Sequence, residues 1–232
     1  TFQNCWADGY GAGIKLIGCS LTLSNCSIEN NSALHGGGMS CTNADSVNLT
    51  NCIFTGNIAR SNKIHSGGGI YATGSNLTVQ SSEFTDNHAR WGGAVRLLNQ
   101  ASTSLLNCTF TNNGGSSDQS QWPTTVDGGA IHARGSGTLD IENCTASENR
   151  ATSWGGFLRI FENTDIVNID GCVLELNNAD VRGGAIACST SAPLMIQNCT
   201  IRSNTTGKSG GGIGQEGSAE LLVLQNNELC AN

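Results

Sequence analysis

Charge and proline are both scarce in this chain. Only 12% of its 232 residues are charged and two are proline, against 31 glycines, a composition that suits neither a disordered polyelectrolyte nor a helical bundle. Lys and Arg together number 11 against 18 Asp and Glu, a net charge of -7. The cationic surplus that phosphate contacts demand is missing, so no nucleic-acid partner is expected. No apolar run approaches the roughly eighteen residues of a membrane-spanning helix; the longest aliphatic cluster is Leu221 to Leu224. No G-x-x-x-x-G-K segment is present, and His35, His65, His88 and His132 fall in unlike contexts. Neither a phosphate-cradling loop nor a metal site is predicted, and no cofactor is implied. The chain lacks an initiating Met and a charged-then-apolar leader and opens inside a repeat at Phe2-Gln3-Asn4-Cys5. It reads as a segment of something longer.

What the chain does have is one cassette, used about eight times. A glycine-containing pair leads into an apolar residue, as in Gly37-Gly38-Met39, Gly68-Gly69-Ile70, Gly93-Ala94-Val95 and Gly184-Ala185-Ile186. A stretch of the form L-x-L-x-N-C-x-I-x-x-N follows, closing on Asn31, Asn57, Asn87, Asn113, Asn149, Asn177, Asn204 and Asn232. Self-similarity at this period marks supersecondary units stacked into a solenoid, with function sought on its flanks. Within one unit, Ile70 and Ala72 alternate with Tyr71 and Thr73, and Leu77 and Val79 with Thr78 and Gln80, before Phe84 and Asn87. Period-two alternation predicts short strands with one face in the core. Glycine suits the tight corners, and stacked Asn can satisfy backbone groups that a bend leaves unpaired. The expectation is all-β: a right-handed parallel β-helix of about eight coils and three short sheets, one domain over residues 1–232. A leucine-rich horseshoe would need Leu-bearing residues on its outer side, where this chain places Gly-Gly-Ile.

Of the 11 cysteines, Cys5, Cys26, Cys52, Cys108, Cys144, Cys172 and Cys199 are read as one repeat position, with Ser82 and Asn227 filling gaps; Cys41 and Cys188 share a second. A mainly reduced column of small core residues is expected, although neighbouring coils lie close enough for disulfides.

The segments Gly92-Gly93-Ala94-Val95 and Phe84-Thr85-Asp86-Asn87 resemble the repeat of the chlamydial polymorphic outer membrane proteins. Similar repeats occur in surface proteins with the pectate-lyase-like β-helix. The resemblance implies an extracellular or cell-surface segment acting as an adhesin-type or structural stalk or fibre protein. Its expected partners are a glycan or cell-surface protein, with end-to-end self-association or flanking domains of the same chain at its ends.

Residues one and three after each strand-opening apolar residue are expected to point outward. Coils three to six then gather Tyr71, Arg96, His132, Arg134, Arg159 and Phe161 on one face, rimmed by Trp91, Trp154 and, from a long insertion, Trp122. Guanidinium forks beside aromatic rings suit anionic sugars or carboxylate-bearing partners. No catalytic residue is assigned. The enzymatic alternative, a polysaccharide lyase or glycoside hydrolase, rests on Glu142, Asp170 and Asp140 on another face, without the companion segments of the pectinolytic enzymes. Eight N-x-[ST] sequons occur, of which outward Asn48 and Asn76 are the glycosylation candidates if the source is eukaryotic.

Overall fold

The computed structural model describes residues 1–60, 66–114, 126–135, 137–162, 165–189, 193–216 and 222–232, and within them there are strands and no helix. Three parallel sheets run the length of the molecule. The first holds eight strands, from Ile14–Ile17 to Ile213–Gln215, the second eight, from Leu21–Ser24 to Leu222–Gln225, and the third nine, from Phe2–Gln3 to Glu228–Cys230. First and last strands of each eight-stranded sheet are therefore seven turns apart. Each strand pairs only with the equivalent strand of the coil before and after, as in Val95↔Ile131 and Leu158↔Ile186. Short two- and three-stranded ladders, such as Arg150–Ala151 with Asn178–Ala179, mark a fourth edge.

Because the register is uniform, every inward position becomes a column. Phe54, Phe84 and Phe110 stack with ring centroids 4.9 Å apart. The next residue in that column is Ala146, and there Phe157, from the Gly-pair position of the same coil, sets its ring 5.6 Å from Phe110. Phe157 and Ala146 are both buried. The two departures from the repeat compensate one another in volume, as a close-packed interior requires.

The closing Asn residues form an unbroken amide ladder. Each side-chain Nδ2 donates to the Oδ1 of the next coil's Asn, at 2.9 to 3.1 Å from Asn31 through Asn232. The same Nδ2 also donates to a third-sheet carbonyl, such as that of Phe84 for Asn113 at 2.9 Å. Backbone N–H groups complete the pattern, that of Asn87 donating to Asn113 Oδ1 at 3.1 Å. The corner is thus satisfied without water.

The thiol column faces inward, and Cys52, Cys108, Cys144, Cys172 and Cys199 are buried. The sulfurs of Cys144, Cys172 and Cys199 accept backbone N–H groups of the preceding coil, Cys108 N to Cys144 Sγ at 3.3 Å for example, and Ser82 takes the same role for Cys52 N at 3.0 Å. All eleven cysteines are free. Burial pushes the Cys41 thiol up to about 12. Cys5 is not part of this column. Phe2 pairs with Ile28, which puts Cys5 in register with Asn31, whose Oδ1 accepts its N–H at 2.9 Å; Cys5 heads the Asn column instead.

The glycines serve two distinct needs. Gly36 opens the corner in the left-handed region, at φ 61°, as its equivalents do. The second glycine lies against the next coil. A Cβ on Gly129 would fall 2.0 Å from the Gly156 carbonyl oxygen.

Candidate functional site: a buried arginine row on the first sheet

Three coils build a three-by-three grid on the outer side of the first sheet. The central column is Arg96, His132 and Arg159, paired rung to rung. One flank is Leu98, Arg134 and Phe161 on the same strands. The other flank is Trp91, Asp127 and Trp154, linked by single bridges. Each flank residue of this last column immediately precedes a left-handed glycine, Gly92, Gly128 or Gly155, so the corner turns its side chain back over the strand. Adjacent rungs lie about 4.8 Å apart, which brings the nine side chains into one patch.

The central column was expected to point outward, and although it lies on that face it is buried: Arg96 is 4%, His132 3% and Arg159 4% exposed, and Tyr71 below them 8%. The reason is the flank. Arg96 lies over the Trp91 ring at 5.8 Å, and Arg159 sits between the rings of Trp154 at 4.2 Å and Phe161 at 5.1 Å. Arg182, next in the flank column, packs over Gly214 so closely that a Cβ there would meet its Cγ at 2.3 Å. Cation–π contacts of desolvated guanidinium groups are worth up to about 2 kcal/mol. Tyr71 continues the central column on the rung before Arg96 and there also joins a ring cluster with Tyr10 and His35, at 5.8 and 5.1 Å. Trp122 lies outside the described residues.

The electrostatics of the patch follow from this burial. Arg96 is lowered to about 10 by burial, with the nearby Arg134 charge adding to the effect and Tyr71 and Asp127 opposing it. Burial raises Asp127, against the pull of Arg159, the Ser153 hydroxyl, the Trp154 amide and Arg96. Nε and Nη1 of both Arg96 and Arg159, Nδ1 of His132 and Oδ1 of Asp127 have no hydrogen-bond partner among the described residues. Arg134 is exposed and paired with Glu162 at 2.7 Å, and Arg182 with Glu216 at 3.1 Å. A hollow of about 190 Å³ is lined by Trp91, Arg96, Asp127, His132, Arg134 and Phe161. Trp91 and Trp154 were expected on this rim; Asp127 ends the insertion that carries Trp122. Its position directly before Gly128 is the signal that puts it between them.

The acidic group on the second sheet is a different case. Asp140 and Glu142 pair with Asn168 and Asp170 beside a hollow of about 200 Å³. Asn168 Nδ2 donates to Asp140 at 2.7 Å, and Gln197 and Asn198 donate to the two Asp170 oxygens at 2.9 and 2.8 Å. These amides hold the Asp170 carboxyl below the usual range. Two of the three carboxylates are thereby committed to neighbouring rungs. Among the described residues no group of three His, Cys, Asp or Glu side chains is arranged to hold a metal, and no helix is long and apolar enough to cross a membrane.

The sequons are unequal. Asn76 is exposed, with Nδ2 donating to the Asp45 carbonyl at 2.9 Å, and Asn48 is half-buried, donating to Ser46 Oγ at 2.9 Å. Asn204 is fully buried in the amide ladder.

Comparison with known proteins agrees with this architecture. Residues 58–229 match the family described as "Right handed beta helix region", and the chain belongs to that family. It is 30% identical over 205 residues to "Metabotropic glutamate receptor-like protein R" of Dictyostelium discoideum, an alignment that covers 88% of this chain and 10% of that protein. The chain thus spans about a tenth of that relative. No solved structure matches it.

Proposed function

We propose that this β-helix is an extracellular, surface-displayed rod of the adhesin or stalk type that recognises a glycan or a partner protein through the arginine-rich face of its first sheet. The observation that carries this reading is that face itself. Buried guanidinium groups with unpartnered N–H groups sit in an acidic protein, on a scaffold locked by the Asn ladder. A rigid solenoid positions such groups without reorganisation, which is what recognition requires. The likeness to the repeats of the chlamydial polymorphic outer membrane proteins and the receptor-like designation of the Dictyostelium relative support display outside the cell. The polysaccharide lyase or glycoside hydrolase reading is the less favoured one, because two of its three carboxylates, Asp140 and Asp170, are tied up by amides.

The test is a glycan array probed with the intact protein, alongside surface labelling of cells that express the full-length gene product. Binding to acidic glycans together with surface staining is the expected result. New reducing ends or unsaturated products from polyuronides would replace this reading with the enzymatic one.

A further inference from the structure

We propose that the hollow bounded by Trp91, Arg96, Asp127, His132, Arg134 and Phe161 binds one carboxylate-bearing sugar residue, a uronic acid at the end of a glycan. This deepens the recognition role proposed above and rests on it only for the source of the ligand.

The donors come first. Arg96 is 4% exposed, and its Nε and Nη1 have no partner; His132, 3% exposed on the next rung, has a free Nδ1. A buried polar group left unsatisfied costs about 1–3 kcal/mol, and more when charged. The folded chain therefore holds the Arg96 cation at a disadvantage that the charge of an anion in the hollow offsets. Nε and Nη1 are closed to solvent and lie on different edges of the guanidinium, Cδ being cis to Nη1, so Arg96 attracts an anion in the hollow through its charge rather than through a two-point fork.

The local charge favours an anion. Arg90, Arg96, Arg134, Arg159 and Arg182 line or adjoin the site, against Asp127, Glu162 and Glu216. Five cations against three acids leave two positive charges over, in a chain whose net charge is -7.

The remaining features favour a sugar over a bare anion. Asp127 lines the hollow, and its carboxylate suits a hydroxyl and repels a second anionic charge. The edges of Trp91 and Phe161 supply apolar walls for C–H groups. At about 190 Å³ the hollow is smaller than the roughly 300–1,000 Å³ that takes a drug-sized ligand. A single residue enters past exposed Arg134 while the rest of the glycan stays outside.

The experiment is isothermal titration of the intact β-helix with glucuronic acid and galacturonic acid, and with glucose, acetate and inorganic phosphate as comparators. At least one uronic acid is expected to bind with one-to-one stoichiometry, and glucose, acetate and phosphate at least about tenfold more weakly, a difference of about 1.4 kcal/mol. Arg96→Met keeps the apolar stem and should weaken uronate binding by about tenfold or more. Arg134→Gln, at the exposed mouth, should weaken it without affecting folding, and Arg202→Gln, paired with Glu175 on another sheet, should leave it unchanged. Absence of saturable binding by both uronic acids, equal binding of phosphate, or full binding by both Arg96→Met and Arg134→Gln would overturn the proposal. Uronate binding without recognition of any glycan or cell surface would keep this site and refute the display role. Glycan-array binding without uronate binding would do the reverse.

Discussion

Replacing Phe157 with Ala should be among the most destabilising single changes in the molecule, and adding Ala146→Phe should undo much of the damage. Phe157 is fully buried and its ring reaches Phe110 at 5.6 Å, next to the position where Ala146 interrupts the phenylalanine column. Truncating a buried Phe costs about 3–5 kcal/mol through lost transfer energy and the cavity left behind. Ala146→Phe alone forces a second ring into filled space and should cost about 1–3 kcal/mol. Together, the two changes restore the arrangement of the neighbouring coils, with a phenylalanine stacked as Phe84 is on Phe110 at 4.9 Å and an alanine at the Gly-pair position as at Ala130 and Ala185. The double variant should recover at least about 2 kcal/mol relative to the sum of the singles, within the range seen for residues in contact. Urea unfolding of the four proteins, followed by circular dichroism, measures this directly. Additive losses would refute the claim that the two positions share one volume.

Four further outcomes follow from the same geometry. Asn113→Leu removes the acceptor for Asn87 and the donor to Phe84 and Asn149, leaving buried groups unpaired at about 1–3 kcal/mol each; a fall of less than about 1 kcal/mol in urea unfolding would contradict the ladder's role. Leu176 is exposed and held at φ 57° where some other coils use Asn30, Gly56, Asp86 and Asn112 and others use Glu148, Ser203 and Ala231, so Leu176→Asn should raise stability by about 1 kcal/mol, relieving the left-handed strain of an ordinary side chain. The Asp170 carboxyl is depressed by the amides of Asn198 and Gln197, so its contribution is present above its unfolded value near 3.9 and lost as pH falls through the lower folded value; Asp170→Asn should flatten that part of an acid-unfolding curve. Thiol titration of the native protein should label exposed Cys19 and Cys230 first and spare Cys41, whose thiol is pushed up to about 12. The denatured, unreduced chain should yield nearly all eleven thiols, and three or fewer would contradict a reduced column.

The coil was legible because its determinants are local. Gly pairs, alternating apolar residues and the closing Asn each imply their role by residue type, and the observed register aligns Ile70, Val95, Ile131 and Leu158 as the repeats do. The grid of Arg96, His132 and Arg159 was legible for the same reason, since in-register stacking turns a sequence position into a column. Its burial was not legible. That depends on Trp91 and Trp154 folding back over the strand from a left-handed glycine, a tertiary contact that strand alternation does not encode. Cys5 was misplaced because its neighbours, Asn4 and Trp6, fit either column, and only the pairing of Phe2 with Ile28 decides. Nothing in the sequence ties Ala146 to Phe157; only the packing on Phe110 does.

The claim beneath all of this is that equivalent residues of successive coils lie side by side in register. Thr109 and Thr145 are 36 residues apart in sequence, yet their hydroxyls lie 3.3 Å apart on neighbouring third-sheet strands. Mild oxidation of Thr109→Cys/Thr145→Cys, with the linkage mapped by mass spectrometry, should give a disulfide between those two positions, because adjacent rungs hold Cα atoms about 4.8 Å apart. Thr109→Cys/Val173→Cys, two rungs apart, should not cross-link. A bond in the second pair and none in the first would contradict the stacking on which both the core and the site depend.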